Sequence, residues 1–156
     1  MKKFLLLTLV ALALSACDKN KVELVEPIQL NTESTNQLSA VFSEDNALLN
    51  DYPYSKVFVI HSQAELQDIC PEGITAPAID FSSNCVIFAP VQLSSVNDEI
   101  IKFYLLYDKN QFEFVVEIQR CSECYLAVTG AYAYGVFPIS LAEVQYIKPT
   151  VKIINK

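Results

Sequence analysis

The sequence predicts a mainly β domain, an antiparallel β-sandwich or partly open barrel with one short α-helix over about residues 63–69. Three observations lead there. Eight tyrosines and nine phenylalanines, with no tryptophan, enrich the chain in side chains that suit a pleated, half-buried surface. Residues 100–107 and 111–120 form two apolar-rich runs joined by Asp108-Lys109-Asn110, a turn triplet in which Asp starts the turn and Asn tolerates the left-handed conformation. The apolar runs lie close together, without the strand–helix alternation that builds a parallel sheet.

The elements follow in order. Met1-Lys2-Lys3, an apolar run from Phe4 to Leu14 and Ser15-Ala16-Cys17 have the three parts of a secretory signal. The run is too short to span a bilayer as a helix. Leu14-Ser15-Ala16-Cys17 reads as a bacterial lipobox, with the thiol of Cys17 acylated and the chain cut before it. The expected organisation is a signal peptide at 1–16, a lipidated tether at 17–26 and one β-rich domain at 27–156. Residues 31–37 are a polar cluster, and 27–30 and 38–42 are expected to flank it as arms of a loose hairpin. Residues 56–60 read as a strand. Ser62 is a good helix N-cap and Glu65 completes a capping-box pattern, with Pro71 and Gly73 stopping the helix.

Residues 85–89 form an apolar run bounded by turn signals, a buried strand. In the strand after Asn110, Phe112, Phe114, Val116 and Ile118 share one face, and Glu113, Val115, Glu117 and Gln119 the other. That period of two implies one core face and one wet face. Residues 125–129 and 131–136 continue the β pattern until Pro138. Residues 141–144 allow one helical turn, and 144–147 with 151–154 form a last strand interrupted at Pro149.

The charge narrows the partners. The chain has 11 basic and 18 acidic residues; Lys2 and Lys3 leave with the signal, so the mature part has 9 against 18, a net of −9. Such a surface repels phosphate backbones, so nucleic acid is not an expected partner. Membrane attachment then rests on the acyl chains of Cys17 rather than on anionic headgroups. The only glycines are Gly73, Gly130 and Gly135, and no phosphate-cradling loop is present.

Besides Cys17 there are four cysteines, Cys70, Cys85, Cys121 and Cys124, an even number that favours disulfides in an exported domain. Four cysteines allow three pairings. Positions three apart in a straight strand are about 10 Å apart, and a disulfide needs Cα atoms within about 7 Å. Cys121 and Cys124 therefore pair only across a turn or bulge; that bridge together with Cys70–Cys85 is the favoured pairing. A redox reading of Cys121-Ser122-Glu123-Cys124 lacks the helix N-terminus that would stabilise a thiolate. A zinc site lacks a second close ligand pair, and no metal or cofactor is expected. His61, the only histidine, reads as a loop-edge residue, and Asp80 as a turn-capping carboxylate. In Ala131-Tyr132-Ala133-Tyr134-Gly135, Tyr132 and Tyr134 fall on one strand face. As an exposed pair they would stack on a sugar or anchor a protein partner; otherwise they pack on the core, with the small side facing another layer.

Val59-Ile60-x-Ser62-x-x-Glu65-Leu66 followed by Ile79-Asp80-Phe81-Ser82 resembles the opening of many small lipoproteins of Bacteroidetes. The ending Tyr132-x-Tyr134-Gly135-Val136-x-Pro138-Ile139 is similar to the C-terminal domain of the PrcB family, linked to a protease complex. The family's glycine-rich loop is missing; only Thr129-Gly130-Ala131-Tyr132 comes near it. The resemblance implies a compact, β-rich, non-enzymatic domain and carries over no catalytic residue.

The leading expectation is a non-catalytic cell-envelope protein, anchored by lipid on Cys17, whose β domain binds a protein or glycan partner. Two alternatives stand beside it: an inhibitor of a hydrolase such as lysozyme or a protease, and a thiol–disulfide redox protein using Cys121 and Cys124. Asp18 directly after Cys17 fits either inner-membrane retention or surface export, and the resemblance tips the expectation to the outer membrane.

Overall fold

A computed structural model describes residues 22–121 and 128–156. Seven strands form two sheets. One holds β1 (Glu23–Val25), β4 (Glu99–Asp108), β5 (Gln111–Gln119) and β7 (Lys152–Asn155), in the order β1-β4-β5-β7. The other holds β2 (Phe58–Ile60), β3 (Cys85–Leu93) and β6 (Thr129–Phe137), in the order β2-β3-β6. The sheets face each other as a β-sandwich with no closed barrel. Every pairing is antiparallel except β5–β7, which is parallel. The chain reaches that register through α3 (Leu141–Val144) and a bridge from Ile147 to Phe112.

Two cores result, because β3 is buried on both faces. Cys85, Ile87, Ala89, Val91 and Leu93 alternate into the sandwich, where they meet Leu105, Phe114, Val116, Ile118 and Phe137. Val86 and Phe88 point the other way, onto a layer made by α1 (Thr32–Val41), a 3-10 turn (Ala47–Leu49) and α2 (Gln63–Asp68). Leu38, Val41, Phe42, Leu49 and Leu66 fill this second core. The apolar run predicted at 85–89 extends to Leu93, and its lack of alternation is what a strand between two apolar layers requires. Each fully buried side chain of the size of Phe88 or Leu66 contributes about 1.5–3 kcal/mol.

The expected hairpin around residues 31–37 is instead the helix α1. The Oδ1 of Asn31 accepts the Ser34 N–H at 2.8 Å, a helix cap. Leu38, Val41 and Phe42 recur at three and four residues and reach the second core, while the polar cluster covers the wet side. Among the described residues there are thus three α-helices rather than the single one at 63–69. The tether prediction also shifts. Residues 23–25 pair with β4 as β1, and Glu26 reaches Lys102 at 2.9 Å, so the fold absorbs the end of the segment given to the tether. Residues 1–21, with the predicted signal and Cys17, lie outside the described residues, as do 122–127 with Cys124.

Other expectations hold in detail. The Oγ of Ser62 accepts the Glu65 N–H at 3.2 Å, and Glu65 reaches back to the N–H of His61, one residue before the cap. The β4–β5 hairpin closes with Lys109 at φ 49° and Asn110 at φ 64°, the two left-handed residues that a tight turn between twisted strands needs. On the wet face of β5, Glu113 pairs with Lys148 and Lys152, and Glu117 with Lys156.

Candidate binding cleft

Ile28, just past β1, donates its N–H to the Val136 C=O at 2.8 Å, so the segment 27–30 starts along the outer edge of β6 and then turns into α1. Beyond that single bond the chain opens a cleft of about 680 Å³. One wall is Leu30 with Thr35 and Leu38 of α1; the other is Ile100 and Phe103 of β4. Strict alternation would send Ile100 and Phe103 to opposite faces. A bulge at Ile101 slips the register between Ile100 and Lys102, so both pack toward the sandwich core. Gly135 lets the wall approach: a Cβ there would lie 2.9 Å from both Phe103 and Pro27. The volume lies within the range of small-molecule sites.

The floor of the cleft is β6, and the ladder geometry fixes which backbone groups it presents. Pro90 of β3 lies opposite Tyr132, and its C=O accepts the Ser55 N–H at 2.9 Å, on the side of β3 away from β6. In an antiparallel ladder, pairs that exchange hydrogen bonds alternate with pairs that do not. Pro90–Tyr132 belongs to the second kind, and so do the pairs of Gly130, Tyr134 and Val136. These four residues direct N–H and C=O outward, as the Ile28–Val136 bond confirms at one end.

Tyr132 and Tyr134 share a face, with Ala131 and Ala133 on the other, as the sequence pattern requires. Both are half-buried against the helical layer. The Tyr134 ring stacks on Phe42 at 4.8 Å, and the Tyr132 hydroxyl donates to the Leu49 C=O at 3.4 Å. Burial raises the Tyr132 pKa, with Tyr54 and Glu44 adding to it. Both tyrosines line the cleft without being free platforms. Tyr132 also borders a smaller polar pocket of about 190 Å³ with Glu44, Asn50, Tyr54 and Gly130.

One half of the favoured pairing, Cys70–Cys85, does not form. Cys70 and Cys85 are free and buried, in different cores: Cys85 faces the sandwich, and Cys70 lies under α2 with its thiol donating to the Leu66 C=O at 3.2 Å. The alternation of β3 places its Cys85 on the face away from α2, which rules out the Cys70–Cys85 bridge. Burial, then the Glu143 charge, pushes the Cys85 thiol up to about 12. No two described cysteines bond to each other. Cys121 is disulfide-bonded; the partner predicted for it, Cys124, lies outside the described residues.

A carboxylate the sequence reading passed over anchors this segment. Asp98 is buried; its Oδ1 accepts the Cys121 N–H at 3.0 Å, and its Oδ2 accepts Ser94 N–H, Ser95 N–H and Arg120 Nη1 at 2.9, 3.2 and 2.6 Å. The Cys121 N–H, then Arg120 and Ser94, hold its pKa down at about 2 against the cost of burial. The Ser94-Ser95-x-x-Asp98 spacing was a readable turn signal. Asp80 caps its own turn through Ser82 and Ser83, and those bonds lower its pKa. His61 is exposed and meets Glu65 at 2.8 Å. Among the described residues no three His, Cys, Asp or Glu side chains form a metal-binding group, and no helix is long and apolar enough to cross a membrane. The cleft walls on α1 escaped the sequence reading because residues 27–42 were assigned to a hairpin; the Asn31 cap with Leu38, Val41 and Phe42 at helical spacing was the signal that could have found them. No protein-family model, no curated protein and no solved structure matches the chain.

Proposed function

We propose that this chain is a non-catalytic protein of the cell envelope, held to the outer membrane by acyl chains on Cys17, whose β domain binds a protein or glycan partner in the cleft along β6. The observation that carries the reading is the cleft itself: an apolar, open groove with backbone polar groups at its floor and phenols at its margin. The side chains with catalytic chemistry support it by being engaged elsewhere. Among the described residues His61 meets Glu65, and Asp80 is taken up by its own turn. The Cys121 N–H is given to the Asp98 carboxylate, and a negative charge beside it disfavours the thiolate a redox protein needs.

Binding of the mature protein to glycan arrays and to displayed peptides tests the cleft, with Thr35→Trp as the probe. Thr35 is an exposed position on α1 that lines the groove. The variant is expected to keep its melting temperature and lose the ligand. A ligand bound equally well by both proteins places the site elsewhere. Mass analysis of the membrane-extracted protein and of Cys17→Ser tests the anchor; an unacylated wild-type chain rejects it.

A further inference from the structure

Building on the cleft reading, we infer that the occupant is an extended peptide that adds to β6 as a fourth strand of the three-stranded sheet, with a lysine or arginine side chain at the Gly130 end of the groove. Four strand edges bound the two sheets, and three are guarded. β1 is three residues long and carries Glu23. β7 is four residues long and carries Lys152. β2 is three residues long, and the segment after Ile147 covers its start through the Lys56–Thr150 bridge and the bond from Val57 N–H to the Pro149 C=O. Short length, charge and cover are the usual defences of an edge against pairing.

Among the described residues, β6 has none of these along most of its length. It runs for nine residues, Thr129-Gly130-Ala131-Tyr132-Ala133-Tyr134-Gly135-Val136-Phe137, with no charge and no proline. Gly130, Tyr132, Tyr134 and Val136 aim their polar backbone groups outward. Among the described residues only Ile28 bonds to them, at the Val136 carbonyl. An added strand continues the pairing that Ile28 begins. Its alternate side chains would fall on the two apolar walls, Ile100 and Phe103 on one side and Leu30 and Leu38 on the other.

The geometry favours a peptide over a sugar. Sugar recognition uses a free aromatic face, but the Tyr134 ring is stacked on Phe42 and the Tyr132 hydroxyl is spent on Leu49. A row of outward N–H and C=O groups spaced as in a sheet matches a backbone instead. The basic side chain follows from the small pocket at the other end of the groove. There Glu44, Asn50 and Tyr54 surround Gly130 and Tyr132, and no cation is among the lining residues. The net acidic surface favours the same sign of partner.

The test is a phage-displayed library of random linear peptides panned on the mature protein, followed by synthesis of the selected sequence with single N-methyl groups along its backbone. In a strand with one free edge, alternate N–H groups point at β6. N-methylation at one parity is expected to weaken binding about tenfold, the scale of one lost backbone hydrogen bond, and at the other parity to leave it nearly unchanged. Glu44→Gln is expected to reduce affinity for the selected basic peptide and not for its Lys→Gln analogue. Equal tolerance of both parities refutes strand addition. Selection of no peptide while a glycan binds and Thr35→Trp abolishes it refutes this inference but leaves the cleft reading standing. No ligand of either class removes both. A concentration-dependent dimer that excludes the selected peptide makes a second copy the occupant and also overturns the inference.

Discussion

Replacing Asn46 with alanine removes the tie between the two main helices. The side chain is 3% exposed. Its Nδ2 donates to the Val41 C=O at 2.7 Å and to the Ile69 C=O at 2.8 Å, and its Oδ1 accepts the Leu48 N–H at 3.1 Å. Val41 ends α1 and Ile69 caps α2, so both carbonyls belong to the orphan set that every helix C-terminus leaves. Alanine strands each of them at about 1–3 kcal/mol, and the lost cap on the 3-10 turn adds about 1 kcal/mol. Solvent access on the Ile69 side moderates the sum to about 3–5 kcal/mol, a large part of the roughly 5–15 kcal/mol of a whole domain. In urea, with a slope of about 2 kcal/mol/M, the midpoint is expected to fall by about 2 M at unchanged slope. Asn46→Asp sharpens the test. It keeps the acceptor for Leu48 but sets a carboxylate against two carbonyls. The folded state then favours the protonated acid, whose pKa rises above the unfolded value of about 3.9. The variant is therefore least impaired at low pH and loses stability as pH rises through that window. A midpoint shift below about 0.5 M for the alanine variant, or a pH-independent aspartate penalty, would refute this account.

Asp98→Asn is expected to lower the melting temperature at neutral pH and to flatten its acid limb. The folded pKa of about 2 lies below the ordinary carboxylate value, so the wild-type contribution is present above about 3.8 and lost as pH falls toward 2; parallel acid limbs in the two proteins reject the role assigned to Asp98. Cys70 and Cys85 are expected to resist thiol reagents in the native state and to react after unfolding, read by peptide mapping of the labelled sites; labelling of either in the native state at the rate of a free cysteine contradicts their burial. In the β4–β5 turn, Lys109→Asn with Asn110→Gly relieves two side chains held at positive φ and is expected to stabilise by about 1 kcal/mol; a loss of stability in chemical denaturation contradicts the turn geometry.

What the sequence shows of this fold depends on range. The β4–β5 hairpin was legible because its signals are local: alternation, a turn triplet and a left-handed asparagine within twenty residues. The helix at Ser62 was legible for the same reason. The segment 27–42 was misread because its polar cluster looks like a loop, and the apolar residues that make it a helix, Leu38, Val41 and Phe42, come after it. What decides the matter is the second face of β3, where Phe88 meets Phe42 at 4.9 Å, a contact across 46 positions of chain that no local pattern carries. The two buried cysteines were misjudged on the same ground. An even count favoured a bridge, but the parity of β3 separates Cys85 from the layer that holds Cys70.

The candidate site shows the same division. The pattern of tyrosines and small residues in β6 was readable, and it correctly placed Tyr132 and Tyr134 on one face. Which edge of which sheet β6 occupies was not, because that follows from the order β2-β3-β6 and hence from where β4 and β5 go. Charge on a strand acquires meaning only with that order. Lys152 and Glu23 look like ordinary surface residues in sequence and become edge guards in the sheet. The absence of charge in β6 looks like core composition until the strand is seen to have one neighbour instead of two. Among the described residues only Ile28 bonds to this nine-residue edge, and an edge so little guarded invites aggregation unless something covers it. The apolar walls on both sides of its outward N–H and C=O groups provide the setting for such a cover, and only the strand order makes that visible.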